Sequence, residues 1–329
     1  MLRSLQEFLG LLMDTAEEEA LLSFELTCIE RPPSPEQANQ ARAVIAKNPD
    51  DIRSRLQLYG QLVRLRADGE PVALTDILEQ VEHFVLHAPF LGATNCNDEA
   101  LRGLPNELER LRRAWKTALQ TQGHGVRVFE NALTFMDYWG DQAAFRVATE
   151  LRRLGATSWN AQALLGAFFL RRCEEACENS TTAADHFDRA LALARPPANR
   201  FEGQAALASY LAGRTERARE LATRAVELRG FNLDINVHLG QTVTGLLALD
   251  ARDAGAAESA LKSSCVRSVP ANGPSFRLAT RLLREGNVHV VKAYLGHMAT
   301  VWRRGADRCR AWSFEIEAGG VPEMTNSDR

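Results

Sequence analysis

The chain has 329 residues, of which 45% are hydrophobic and 25% charged, and its formal net charge at pH 7 is −3. These are the proportions of a chain that buries a core, which excludes wholesale disorder, and no run of about 18 apolar residues exists to cross a membrane. Six scattered cysteines (Cys28, Cys96, Cys173, Cys177, Cys265 and Cys309), with no secretory leader, predict reduced thiols and a cytoplasmic location. Arginine far outnumbers lysine, as a GC-rich bacterial genome would dictate.

In chain order, Met1 to Glu19 reads as an amphipathic helix with Leu2, Leu5, Leu9 and Leu12 on its apolar side. Ser34-Pro35-Glu36-Gln37 forms a capping box with proline in the first helical position. Asp50 or Asp51 caps a helix running to about Arg66, and Thr75 caps another ending near Ala88-Pro89. Phe90 to Pro105 is the least regular internal stretch. The expected organisation is an N-terminal helical module over 1–95, helical repeats over 96–318 and a flexible tail over 319–329.

The repeats emerge from spacing. Ala132 and Gly166 are 34 residues apart, as are Ala206 and Gly240, and each opens or closes a similar apolar run. The segment AADHFDRALALARP places Ala183, Phe187 and Ala190 on one helical face. GRTERARELATRAVELRG places Ala218, Ala222 and Ala225 in the same register 35 residues later. Longer intervals, 40 from Gly166 to Ala206 and 39 from Gly240 to Ala279, imply extra residues near Cys173 to Thr181 and Leu247 to Asp253.

With LLGAFF at Leu164 to Phe169, these segments resemble tetratricopeptide repeats across about Gly125 to Arg304. The end of the chain, with Gly273-Pro274, Tyr294, Trp302, Trp312 and Pro322, is similar to endings of bacterial tetratricopeptide-like proteins of no assigned chemistry. Thr157 and Gly230 stand where the family pattern has proline, and the unit after Gly240 lacks a clean second helix. The resemblance implies an all-α fold, an α-α superhelix of antiparallel helix pairs. It also implies a concave groove lined by Phe129, Leu133, Met136, Asn160, Leu170, Arg171, Arg200, Tyr210, Asp234 and Gln241, with Trp302 and Trp312 covering one end of the stack.

Charge is unevenly placed. Met1 to Glu30 carries seven acidic residues against Arg3, and Lys262 to Arg310 carries ten basic residues against Glu285 and Asp307. Arg277, Arg281 and Arg284 fall on one helical face, a stripe able to grip carboxylates or phosphates. The complementary ends also allow a head-to-tail contact between copies. Nucleic acid is disfavoured as a partner because the whole chain is acidic and no aromatic stacking run accompanies the arginines.

Catalytic signatures are missing from the sequence. His83 and His87 share a helical face, but Phe84 stands where a zinc hydrolase helix has its glutamate. Cys173 and Cys177 are spaced too widely for the usual redox pair, Gly123-His124-Gly125 lacks the rest of a phosphate loop, and no nucleophile elbow occurs. The expectation is therefore a non-catalytic scaffold or adaptor for a protein or peptide segment, with an acidic one best suited to the arginines, and no metal, cofactor or membrane partner. The alternatives are a helical enzyme or substrate-presenting subunit, and a regulator that holds an anionic partner or nucleic acid at its basic C-terminal end.

Overall fold

A computed structural model describes residues 18–28, 30–94, 104–121, 125–173, 177–194, 201–227, 234–267, 273–302 and 305–324. Every regular element among the described residues is helical, so the protein is all-α. Contacts divide the chain into two compact units, Met1–Ala156 and Thr157–Arg329. The boundary expected near residue 95 falls on 95–103, outside the described residues.

The first unit holds α1 (18–28), α2 (Pro35–Lys47), α3 (Ile52–Ala67), α4 (Leu74–His87), a 3-10 turn (Gly92–Thr94), α5 (Pro105–Thr121), α6 (Val126–Tyr138) and α7 (Ala144–Leu154). Local chemistry starts these helices. Ser34 Oγ accepts from Gln37 N while Gln37 Oε1 accepts from Ser34 N, the reciprocal capping box. Asp51, not Asp50, caps α3 by accepting from Ser54 N at 2.7 Å. Thr75 does not cap α4, which begins one residue earlier behind Ala73 without a side-chain cap.

Apolar residues of α1, α3 and α4 converge on a core of Cys28, Leu56, Phe84, Ala88, Leu91 and Ala93, with Tyr59 edge-on to Phe84 at 5.8 Å. The stretch after Ala88, read as irregular, is anchored at its start. Buried Glu25 accepts from the backbone N–H groups of Gly92 and Ala93, closing the 3-10 turn. Asn131 Nδ2 donates to the carbonyls of Pro89 and Leu91 at 2.9 Å each. These bonds satisfy backbone groups that burial would otherwise strand.

The second unit holds α8 (Trp159–Arg171), α9 (Cys177–Leu193), α10 (Glu202–Leu211), α11 (Thr215–Glu227), α12 (Asp234–Asp250), α13 (Ala254–Ser263), α14 (Arg277–Arg284), α15 (Val288–Val301) and α16 (Ala306–Glu317). Consecutive helices run antiparallel: Gln162 meets His186 and Gly166 meets Phe187, while further along α8 the Arg172 carbonyl meets Asn179. The α12–α13 pair does the same through His238 with Ser264 and Gly245 with Ala260. The second helix expected to be unclear after Gly240 is α13, capped by Asp253, which accepts from Ala256 N at 2.9 Å.

Two pairs of alternate helices, α10 with α12 and α12 with α14, also pack on each other. Gly203 of α10 donates to Asn236 of α12, 33 residues on, and Gly245 of α12 faces Leu278 of α14, again 33 residues on. The faces Ala183/Phe187/Ala190 and Ala218/Ala222/Ala225 are buried as their spacing requires. Trp302 is buried against Phe276, which Trp312 meets edge-on at 5.0 Å. The expected flexible tail is seated at least to Met324, which belongs to this unit's core.

Candidate binding site

In the first unit, three helical stripes face one another across a cleft of about 660 Å³. From α5 come Glu109, Arg112, Arg113, Lys116, Leu119 and Gln120, at intervals of three and four that bring them onto one side of the helix. Phe129 and Met136, seven residues apart on α6, form the floor, and Ala143, Arg146, Val147 and Glu150 of the α7 region form the far wall. The opposite side of α5 is committed to the interior through Leu111, Ala114, Trp115 and Ala118.

The floor is apolar and the rim is charged. Arg112 is engaged within the protein: it donates to the Trp139 carbonyl at 3.2 Å and lies 3.4 Å from Asp141 and 3.7 Å from Glu109. Glu150 pairs with Arg153 at 3.0 Å. Exposed Arg113, Lys116 and Arg146 have no ion-pair or hydrogen-bond partner among the described residues. Three unneutralised cations therefore surround an apolar floor, and the volume lies within the ~300–1,000 Å³ of small-ligand and side-chain pockets.

The ten residues expected to line one groove are distributed over both units. Phe129 and Met136 form the floor of the α5–α6–α7 cleft, but Leu133 faces the interior at 2% exposure and is not a surface residue. Its direction follows from α6 burying nearly all its circumference, so the groove register puts an interior position on the surface. In the second unit Asn160, Leu170, Tyr210, Asp234 and Gln241 are half-buried and Arg171 is exposed, while Arg200 lies outside the described residues.

The arginine stripe is not free to bind a partner as a unit. Arg281 Nη1 donates to Tyr210 Oη at 2.8 Å and to Asp250 Oδ1 at 2.7 Å, joining α14 to the ends of α10 and α12. Arg277 donates to Cys173 Sγ at 3.5 Å, leaving Arg284 exposed. The cause is the parallel packing of these helices, which brings their C-terminal ends together and puts the cation among their acceptors. The Cys177 side chain lies outside the described residues, as do Arg303, Arg304, Gly123 and His124.

The His83 and His87 rings stack at 4.2 Å. His83 Nε2 is buried without a hydrogen-bond partner among the described residues. Burial above all, then the charges of Arg55 and His87, hold the His83 imidazole down at about 4, against the smaller opposing pull of Asp50. The ring is therefore neutral at pH 7. In the second unit His238 is fully buried: its Nδ1–H donates to the Ser264 carbonyl at 2.9 Å and its Nε2 accepts from Ser275 N at 2.9 Å. Both contacts define a neutral tautomer, and desolvation pushes its pKa down.

No protein-family model matches the chain, and no curated protein is similar to it. Among the described residues, no helix is long and apolar enough to cross a membrane.

Proposed function

We propose that the protein is a non-catalytic adaptor of bacterial cytoplasm that binds an acidic, amphipathic protein segment, and that its second unit is a tetratricopeptide-like stack. The cleft between α5, α6 and α7 carries the binding reading. Its apolar floor suits one or two hydrophobic anchors, and Arg113, Lys116 and Arg146 suit carboxylates on either side of them. The packing of α10 on α12 and of α12 on α14, each with an antiparallel helix between them in the chain, supports the stacked-repeat reading. Free thiols at Cys28, Cys173, Cys265 and Cys309 fit a reducing compartment. The rival in which the C-terminal arginines grip the anion has less support, since Asp250 and Tyr210 already engage Arg281.

Fluorescence anisotropy tests the reading with labelled amphipathic peptides that carry either Glu or Lys on their polar face. Saturable binding of the acidic peptide, weakened about tenfold or more by the triple change Arg113→Glu/Lys116→Glu/Arg146→Glu, is the expected result. Equal binding of both peptides, or no effect of the triple change, would overturn it.

A further inference from the structure

The geometry points to a divalent transition-metal site formed by His83, His87 and Asp50 in the first unit. One ligand atom from each lies within 4.8 Å of the other two. The two histidines are one turn apart on α4 and so project from the same side of the helix. Asp50 approaches from the turn between α2 and α3. That turn divides its two carboxylates between two tasks: Asp51 caps α3, and Asp50 is left with no hydrogen bond among the described residues.

The turn is held in place from below. Arg55 Nε donates to the Pro49 carbonyl at 2.7 Å and Arg55 Nη1 donates to Gln80 Oε1 at 2.8 Å, fastening the residue before Asp50 to α4 three residues before His83. The Arg55 charge disfavours a cation, but Asp50 itself and Glu79, 3.8 Å from Arg55, leave the surroundings net negative. The His83 ring meanwhile has a buried nitrogen, Nε2, that nothing among the described residues satisfies, a cost that a metal bond at that nitrogen would remove.

Two imidazoles and a carboxylate suit Zn²⁺ and its borderline neighbours, while Ca²⁺ and Mg²⁺ prefer oxygen donors. In tetrahedral zinc the ligand atoms stand ~3.3 Å apart, so the observed triangle must contract by up to ~1.5 Å. Asp50 and His87 are exposed and can supply that movement by side-chain rotation. Three protein ligands leave the fourth position open to water or to a donor from another molecule.

The test is isothermal titration of chelator-stripped full-length protein with Zn²⁺, repeated on His87→Gln, His83→Gln and Asp50→Asn, alongside imidazole ¹⁵N spectra. The expected result is one ion whose affinity falls at least ~10-fold in each variant, since even outer-shell losses cost about that much. The His83 and His87 nitrogen resonances should shift with bound Zn²⁺. His87 is exposed, so loss of binding in His87→Gln cannot be ascribed to a disturbed core. Absence of binding overturns the proposal, as does binding that the His87 change leaves intact or that shifts neither imidazole, the sign of an ion held by thiolates elsewhere.

Discussion

The ring of Phe187 on α9 lies against the α-carbon of Gly166 on α8 so closely that a methyl group on Gly166 would stand 2.9 Å from it. Phe187 is 1% exposed and stacks on Phe201 at 5.9 Å. Gly166→Ala should therefore destabilise the second unit by about 1–3 kcal/mol, the overpacking cost outweighing the ~1 kcal/mol that alanine gains in a helix. Denaturant unfolding measures the difference. An unchanged or raised midpoint would mean that α8 and α9 can move apart.

His238 ties together the two ends of the α13–α14 connection, at Ser264 and Ser275, through both ring nitrogens. His238→Ala should cost about 3 kcal/mol by stranding a buried carbonyl and a buried N–H. His238→Gln, which keeps one donor and one acceptor, should recover part of that loss in the same unfolding experiment.

Acid should weaken the first unit through His83. Its pKa of about 4 in the folded protein lies below the ordinary 6.5, so the unfolded chain takes up the proton first. Stability is complete above pH 6.5 and declines as pH falls from 6.5 to 4, by roughly 2 kcal/mol once partial exposure of the ring is allowed for. The groups facing the ring are His87 on its own helix and Arg55 and Asp50 across from it. Unfolding of His83→Gln across this range should lack that part of the slope.

Charge reversal at Arg113, Lys116 and Arg146 should change stability by no more than ~0.5 kcal/mol per residue, because the exposed cations have no partners to lose among the described residues. Arg281→Glu should behave differently. It removes hydrogen bonds to Tyr210 and Asp250 and places two carboxylates together, at a cost of about 1–2 kcal/mol. Thermal unfolding of the two variants side by side distinguishes a binding surface from a structural tie.

The helical class was legible because alanine-rich faces such as Ala183/Phe187/Ala190 follow the helical period closely, and the capping box at Ser34 was readable from four residues. Small-residue positions were read less well. Gly166 does face its partner helix, but Gly240 faces Ala222 and Ala225 on the preceding one, and it is Gly245 that lies against α13. A single glycine in a sequence announces close approach without naming the neighbour. Of the residues lining the first unit's cleft, Phe129 and Met136 were assigned from sequence to a repeat groove, while the α5 cations were not singled out. Arg113 and Lys116 look like any solvated helix face until the far wall supplied by α7 is known. Asp50 escaped for a related reason, since it joins His83 only through the packing of α3 on α4.

The carboxylate of Glu25 must wait for Gly92, 67 residues further along the chain, before it is satisfied. At ribosomal speeds of about 5–20 residues per second, that is a delay of roughly 3 to 13 s during which the Glu25 carboxylate lacks these backbone partners. The second unit can add much of its helical packing as the chain emerges, with α8 meeting α9 at Gln162 and His186, 24 residues apart. Its ties from Arg281 to Tyr210 and from Arg277 to Cys173 close only 71 and 104 residues on, so in both halves the last bonds come late and the interval before them is open to chaperones and proteases.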